Sequence, residues 1–137
     1  MNLLELSVID PERIAWKGRA KGIVVGINDG LYGILPGHSD AVMLISPSIL
    51  KIETEEGKTE SFFLSGGCVK IGKEGVTVIA DSSETKEGID VERAKTSAHR
   101  ALERLGGSPH GIDLGRARLS LKRAKTRLQF AGASFEA

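Results

Sequence analysis

Aromatic residues are scarce in this chain of 137 residues. Phe, Trp and Tyr together make up 4% of it, as four Phe, one Trp and one Tyr. The core must therefore consist mainly of Val, Ile, Leu and Ala, and the chain lacks the stacking platform that binders of single-stranded nucleic acid use. With 40% hydrophobic and 27% charged residues, the composition is still that of a folded globular protein.

Cysteine and long apolar runs are also lacking. Cys68 is the only cysteine, so no disulfide forms within the chain, which suits a reducing compartment. No apolar run approaches the ~20 residues that cross a bilayer, and pieces such as AVMLI at 41–45 are short. The N-terminal segment MNLLELSVIDPE has no basic leader. We therefore expect neither a signal peptide nor an integral membrane protein.

Catalytic and metal-binding motifs are absent from the sequence. His38-Ser39-Asp40 offers the residue types of a nucleophilic triad, but sequence neighbours cannot generally form that relay. His99 and His110 lack the spacing of metal ligands, and no GxxxxGK[ST] phosphate loop is present. We therefore expect no enzyme, no metal and no required cofactor. A small hydrolase centred on His38 is an alternative, which loss of activity in His38→Ala would support.

The charge is divided between two unlike halves. Residues 1–88 contain 9 Lys and Arg against 13 Asp and Glu, a net charge of −4, whereas residues 89–137 contain 10 against 5, a net charge of +5. Such asymmetry predicts that the basic half meets an acidic partner or an anionic ligand.

Apolar residues in the first half follow the period of β-strands. The strand-like runs are 3–9, 13–20, 22–27, 48–54, 61–65, 68–72 and 76–80. Turn residues such as Asp10-Pro11, Pro36-Gly37 and Glu56-Gly57 separate them. We expect an antiparallel β-sandwich of eight to ten strands over residues 1–84.

After the polar run SSETKEG at 82–88 the period becomes helical. One seam contains Val91, Ala94, Ala98, Ala101 and Leu105, and a second contains Leu114, Ala117, Leu121, Ala124 and Leu128. GGSPHG at 106–111 is a turn between them, so residues 85–137 are predicted to form an antiparallel two-helix hairpin. The sequences GIDVERA at 88–94 and GIDLGRA at 111–117 each place an Asp, at 90 and 113, to cap a helix. The fold class is thus mainly β with α.

Four segments in order resemble the epsilon subunit of bacterial F-type ATP synthase. They are GILPGH at 33–38, LSGGCVKI at 64–71, VTVIAD at 76–81 and the IDxxRA helix opening at 89–94. The resemblance covers the whole chain. It implies a non-catalytic rotor subunit that is peripheral at the cytoplasmic face of the cell membrane and monomeric within a larger complex. The implied partners are the gamma subunit, the membrane c-ring and the alpha/beta catalytic head, with no nucleic acid.

The resemblance also implies contact residues on the β-sandwich. The loop before GILPGH approaches the ring in that family, so ring or gamma contact is expected at Asn28, Asp29, Gly30, Leu31, Tyr32 and His38. The family commonly has Glu and Leu where this chain has Leu31 and Tyr32. An apolar contact therefore replaces a charged one here, unless one of the two packs inward.

Arginines on the predicted helices suggest a nucleotide site. Arg93 and Arg100 lie two helical turns apart, and Arg123 and Arg127 lie one turn apart, so antiparallel packing can bring them together. Guanidinium groups suit phosphate oxygens. The resemblance agrees, and it implies ATP as a regulatory ligand. The residues it implies are Glu84, Ile89, Asp90, Arg93, Ala94, Arg100, Arg123 and Arg127.

The second predicted helix supplies an inhibitory mechanism. Between 114 and 130 it has six basic residues and no acidic one, so we expect it to be drawn to an acidic surface, which the resemblance implies to be the catalytic head. The expected contacts are Ser108, Arg116, Arg118, Lys122, Arg123, Lys125 and Arg127. ATP would favour the folded hairpin over an extended, blocking form. A free-standing β-sandwich that binds RNA or another polyanion is the alternative, and recovering nucleic acid without gamma would favour it.

Overall fold

The computed structural model describes residues 2–28, 30–107 and 114–134. The chain divides into two compact units, Met1–Glu84 and Thr85–Ala137. In the described residues, no helix combines the length and the apolar character that crossing a bilayer requires.

The first unit contains the β-strands. Within the described residues they are β1 Leu4–Ile9, β2 Ile14–Ile27, β3 Gly30–Ile34, β4 Ala41–Ile45, β5 Ser48–Thr54, β6 Thr59–Leu64, β7 Gly67–Gly72, β8 Gly75–Ala80 and β9 Ser83–Glu84. Their hydrogen-bonded order is β4-β7-β8-β1-β2-β5-β6-β9, and β3 pairs with β2. The predicted β-sandwich followed by two helices is confirmed.

The strand predictions were wrong in three respects. The runs at 13–20 and 22–27 form one continuous strand, β2, which pairs with β1 through its first half and with β3 and β5 through its second. Strands β3, β4 and β9 were not predicted. Strand β1 also pairs with β8 in parallel, an exception to the antiparallel pattern.

The inward-facing residues of the strands form one apolar core. Every second residue of β1 and β8 is buried, namely Leu4, Leu6 and Val8 on β1 and Val76, Val78 and Ala80 on β8. Aliphatic side chains dominate the core, as the scarcity of aromatic residues predicts. Burial of each such side chain stabilises the fold by about 1.5–3 kcal/mol relative to leaving it exposed.

A buried carboxylate ties the β1–β2 turn to β9. Asp10 Oδ2 accepts a hydrogen bond of 2.6 Å from the Ser83 hydroxyl, and Asp10 Oδ1 accepts from the backbone N–H groups of Glu12 and Arg13. The Arg13 guanidinium donates to the Ser83 carbonyl at 3.1 Å. The Ser83 hydrogen bond, followed by those from the two amides, lowers the pKa of Asp10 below its ordinary value.

The variant Ser83→Ala is expected to lose about 1 kcal/mol of unfolding free energy at pH 7. Because the pKa of Asp10 is lowered by folding, its contribution is complete above the ordinary Asp value of about 3.9. This contribution to the unfolding free energy is lost as the pH falls through the lower pKa that Asp10 has in the folded protein. Urea unfolding at about pH 7 and about pH 2.5 measures the unfolding free energy of the variant, with Ser61→Ala as the control. A pH-independent difference between Ser83→Ala and the natural chain would contradict the carboxylate's role.

The second unit contains α1, Val91–Gly106, and α2, Leu114–Ala131, which pack along each other. Ala94, Ala98 and Ala101 are buried on α1, and Ala117, Ala124 and Leu128 are buried on α2, so the predicted seams do face inward. Asp90 is the N-cap of α1, because its Oδ1 accepts the Arg93 N–H at 3.0 Å. The predicted cap at Asp113 and the turn at 108–111 lie outside the described residues.

Candidate functional site

Arginine side chains gather on one side of the helical seams. Six of the seven arginines on the two helices directly precede a seam residue: Arg93, Arg100, Arg104, Arg116, Arg123 and Arg127. A step of one residue is a rotation of about 100° around a helix, so these arginines flank the seam in the same direction. In an antiparallel pair, equivalent flanks of the two helices lie on the same side. We call these six residues the arginine face.

The arginine face contains the four arginines predicted to bind ATP. Arg93 and Arg100 are exposed on α1, whereas Arg123 and Arg127 are half-buried on α2. Planar guanidinium groups at these positions can donate several hydrogen bonds to phosphate oxygens. The structure therefore places Arg93, Arg100, Arg123 and Arg127 on one face of the hairpin.

The other residues predicted for the nucleotide site have different surroundings. Ile89 and Ala94 are buried at 8% and 3% exposure, so both side chains pack in the interior. Asp90 is exposed, and one of its oxygens already accepts the Arg93 N–H. Its second oxygen keeps acceptor capacity for a hydroxyl or amino group. Glu84 ends β9, in the first unit.

A second basic group lies on the opposite side of the α2 seam. Arg118, Lys122 and Lys125 each directly follow a seam residue, namely Ala117, Leu121 and Ala124. All three side chains are exposed. We call these three residues the lysine strip. The predicted inhibitory residues of α2 thus fall into two groups, the lysine strip and the arginines at 116, 123 and 127, while Ser108 lies outside the described residues.

The start of β3 presents an exposed leucine. Leu31 is 77% exposed, whereas Tyr32 is half-buried and packs against the core, so one of the two residues packs inward, as the alternative expected. Gly30 is exposed beside Leu31, and Asn28 accepts a hydrogen bond of 3.3 Å from the Ser46 hydroxyl. Asp29, also predicted as a contact, lies outside the described residues. Leu31 is thus the exposed apolar residue at the start of β3.

His38 is held by hydrogen bonds at both ring nitrogens. Its Nε2 lies 2.6 Å from the Tyr32 hydroxyl and its Nδ1 lies 2.7 Å from the Ser39 carbonyl oxygen. A carbonyl can only accept, so Nδ1 carries a proton and donates, and the neutral ring accepts from Tyr32 through Nε2. The turn that carries His38 contains Pro36 and Gly37, whose φ of 86° suits glycine. Both ring nitrogens are thus engaged in positioning the turn rather than in a triad with Asp40.

Apolar side chains cross the outer face of the β-sandwich in a single row. Leu44 on β4 pairs with Cys68 on β7, Cys68 pairs with Ile79 on β8, and Ile79 pairs with Ile9 on β1. Leu44 is 77% exposed and Ile79 is 43% exposed, while Cys68 and Ile9 are half-buried. We call these four residues the apolar row. A contiguous exposed apolar patch on a folded domain marks an interaction surface.

Sequence reasoning did not identify the apolar row. A signal was present, because AVMLI at 41–45 has apolar residues at every position and thus on both faces of a strand. Ile79 and Cys68 likewise occupy the outward positions of β8 and β7. The register that aligns these residues, however, comes from pairing between distant strands.

For metal ions, the described residues include no group of three or more His, Cys, Asp or Glu that could hold one.

Comparisons with known proteins agree with this architecture. The β-sandwich domain of the ATP synthase delta/epsilon chain matches residues 3–86, and the long alpha-helix domain of the same chain matches residues 87–132. An ATP synthase epsilon chain of Moorella thermoacetica is 35% identical over 133 residues, which cover 97% of this chain and 99% of the relative. One from Carboxydothermus hydrogenoformans is 40% identical over 102 residues, 74% of this chain and 75% of the relative.

The fold has a counterpart among solved structures. A chain in the cryo-EM structure of the Euglena gracilis mitochondrial ATP synthase, OSCP/F1/c-ring, superposes with a TM-score of 0.79 at 23% identity, covering 92% of this chain and 79% of that one. Both domains are matched in order, and one relative aligns over nearly its full length. The chain therefore belongs to the epsilon subunit family of bacterial F-type ATP synthases.

Proposed function

We propose that this chain is a non-catalytic subunit of the rotor stalk, which links the catalytic head to the membrane ring and restrains ATP hydrolysis. The observation that carries the proposal is that the match to the family spans both the β-sandwich and the helical domain. The subunit is then peripheral at the cytoplasmic face of the cell membrane, and its partners are gamma, the ring and the head.

The apolar row is the surface we assign to gamma. Leu44 and Ile79 are large side chains that water reaches, and covering them by a partner removes apolar area from solvent. Four strands contribute to the row, so its shape is fixed by the sheet rather than by a loop. A rigid apolar surface of this kind suits a permanent contact better than a transient one.

The start of β3, with the connection that precedes it, is the surface we assign to the membrane ring. Leu31 supplies an exposed apolar tip, and Gly30 leaves open space beside it, since a methyl group there would meet no atom within 4 Å. The Tyr32–His38 hydrogen bond of 2.6 Å links β3 to the turn that follows it. The two residues therefore support β3 from the core side, while Leu31 makes the contact.

The helical hairpin is the regulatory element in this proposal. Its arginine face binds the phosphates of ATP. Five of the six buried seam residues are alanine, and these positions bury little apolar area. At about 0.8 kcal/mol per buried CH₂, exchanging leucine for alanine gives up a few kcal/mol of packing. A ligand at a hundredfold excess over its Kd adds about 2.7 kcal/mol to the form that binds it. ATP binding is therefore large enough to decide between a folded and an extended hairpin.

Co-purification with gamma tests the docking surface. The variant Leu44→Ser is expected to weaken recovery of gamma about tenfold, because burial of one leucine is worth about 1.5–3 kcal/mol. Leu35→Ser is the matched control, since Leu35 is similarly exposed at 65% but lies outside the apolar row. Equal recovery of gamma by both variants and the natural chain would contradict the assignment of the apolar row.

A further inference from the structure

A row of polar side chains crosses the same outer face of the β-sandwich as the apolar row. Ser7 on β1 pairs with Lys17 on β2 and with Thr77 on β8, and Thr77 pairs with Lys70 on β7. These residues lie two positions from the apolar row on β1, β8 and β7, so both rows face outward. The order across the four strands is ammonium, hydroxyl, hydroxyl, ammonium. We call these four residues the polar row.

The polar row has no partner within the described part of the chain. Lys17 and Lys70 are exposed, Ser7 and Thr77 are half-buried, and none of the four side chains makes a hydrogen bond or ion pair with another described residue. The two hydroxyl residues lie side by side on neighbouring strands, which run about 4.8 Å apart. A hydroxyl without a protein acceptor can donate its proton to a ligand oxygen. The row therefore offers two O–H donors between two positive charges.

The polar row lines an open groove with a volume of about 530 Å³. Lys73, in the turn between β7 and β8, adds a third ammonium group to the lining. Two carboxylates line the groove as well. Glu5 is paired with the Arg19 guanidinium at 2.9 Å, whereas Glu74 is exposed next to Lys73. Three lysines and Arg19 against these two glutamates leave a net charge of +2, so the groove attracts anions.

The donors around the groove suit a phosphate group. No aromatic side chain is among the described residues that line it, so a ring would have nothing to stack on. Flexible four-carbon stems let the ammonium groups of Lys17 and Lys70 lean over the two hydroxyls from opposite sides. A phosphate group has three strong acceptor oxygens and a charge close to −2, which this set of donors matches. A carboxylate has two oxygens and a single charge, so it would leave donors unused.

We propose that the polar row binds a phosphate group between Lys17 and Lys70, with hydrogen bonds from the Ser7 and Thr77 hydroxyls. The group belongs to a soluble phosphate or to the headgroup of a lipid that carries a phosphate monoester, since both present the same oxygens. The site is formed by the β-sandwich alone. It goes beyond the proposed function, because binding at this groove requires neither gamma nor a nucleotide.

Titration of the isolated full chain with inorganic phosphate, followed by two-dimensional NMR at constant ionic strength, tests the site. The backbone amide signals of Ser7, Lys17, Lys70 and Thr77 are expected to shift together and to saturate with a Kd of about a millimolar. Lys17→Gln and Lys70→Gln are each expected to weaken binding about fivefold, the upper end for an exposed charge contact. Lys51→Gln is the matched control, because Lys51 is an exposed lysine on β5 outside the groove, and it should bind as the natural chain.

Removal of a hydroxyl distinguishes a built site from a general attraction to lysine. Thr77→Val keeps the shape of the side chain and removes the O–H donor, so it is expected to weaken phosphate binding about threefold. The NMR spectrum of the variant also shows that it is folded. Unchanged binding by Thr77→Val, or equal weakening by Lys51→Gln, would mean that phosphate responds to surface charge alone, and the inference would be overturned.

Vesicles distinguish the two sources of phosphate. The full chain is sedimented with phosphatidylcholine vesicles that contain phosphatidic acid, and the double variant Lys17→Gln with Lys70→Gln is compared with Lys51→Gln. Weaker cosedimentation of the double variant identifies a lipid headgroup as a ligand and supports the site. Equal cosedimentation together with a saturable phosphate titration assigns the site to a soluble phosphate. Equal cosedimentation without saturable shifts would contradict the site altogether.

Discussion

Replacing Arg93 and Arg127 together by alanine is expected to weaken ATP binding by the isolated chain about a hundredfold. A hydrogen bond to a charged group contributes about 1.5–3 kcal/mol, and two such losses at the lower end correspond to two factors of ten. Neither residue is in the core: Arg93 is exposed and Arg127 is half-buried, and each sits beside the buried seam residue that follows it. Isothermal titration calorimetry with ATP measures the change.

The matched control for this pair is Arg118→Ala. Arg118 lies on the same helix as Arg127 and is also an arginine, but it follows its seam residue instead of preceding it. Removing it should leave the Kd for ATP within about twofold of the natural value, because Arg118 lies on the opposite side of the α2 seam from the arginine face. An unchanged Kd in the double variant would remove the arginine face as a nucleotide site.

Removing the second unit is expected to abolish inhibition while leaving assembly intact. If the blocking form is favoured by about 1.4 kcal/mol at low ATP, roughly nine in ten complexes are restrained, and removal raises hydrolysis about tenfold. The chain should be cut after Glu84. Strand β9 pairs with Phe63 and Leu64 on β6, and the Ser83 hydroxyl donates a hydrogen bond to Asp10. A cut after Asp81 would remove both the β9–β6 pairing and the Ser83–Asp10 hydrogen bond, and it would therefore destabilise the β-sandwich.

Two measurements check the truncated chain. ATP hydrolysis by the catalytic head with gamma gives the inhibition, and co-purification of gamma gives the assembly. The double charge reversal Lys122→Glu with Lys125→Glu in the full chain serves as the comparison, since it keeps the hairpin and removes two of its positive charges. A truncated chain that inhibits as strongly as the natural one would assign inhibition to the β-sandwich and contradict the hairpin mechanism.

Local patterns in the sequence were sufficient for most of the fold class. Alternation over LLELSVI and VTVIA predicted β1 and β8, and the seams through Ala94 and Ala124 predicted the buried sides of both helices. Asp90 was predicted as a cap and is one, because capping depends on residues within one turn. Each of these features is decided by contacts close along the chain.

Features that depend on distant pairing were not predictable in this way. Nothing local in 13–27 shows that a single strand runs through Gly22, because Gly22 reads as a break until Leu35 is seen to pack over it. The apolar row requires the register of four strands, and one of its pairings, between Ile9 and Ile79, joins residues seventy apart. Four residues of the arginine face, at 93, 100, 123 and 127, were found from their spacing, whereas their common orientation needed the buried sides of both helices.

The parallel pairing of β1 with β8 gives the first strand a decisive place in the molecule. In the sheet order, β1 alone joins β8 and its neighbours to β2 and those that follow it. Without residues 4–9, both β2 and β8 would present bare strand edges, which recruit other chains and aggregate. During synthesis β8 is made long after β1 and β2, so completion of the sheet around β1 is a late event. A tag or fusion that hinders the packing of Leu4, Leu6 or Val8 should therefore lower the solubility of the chain before it affects regulation.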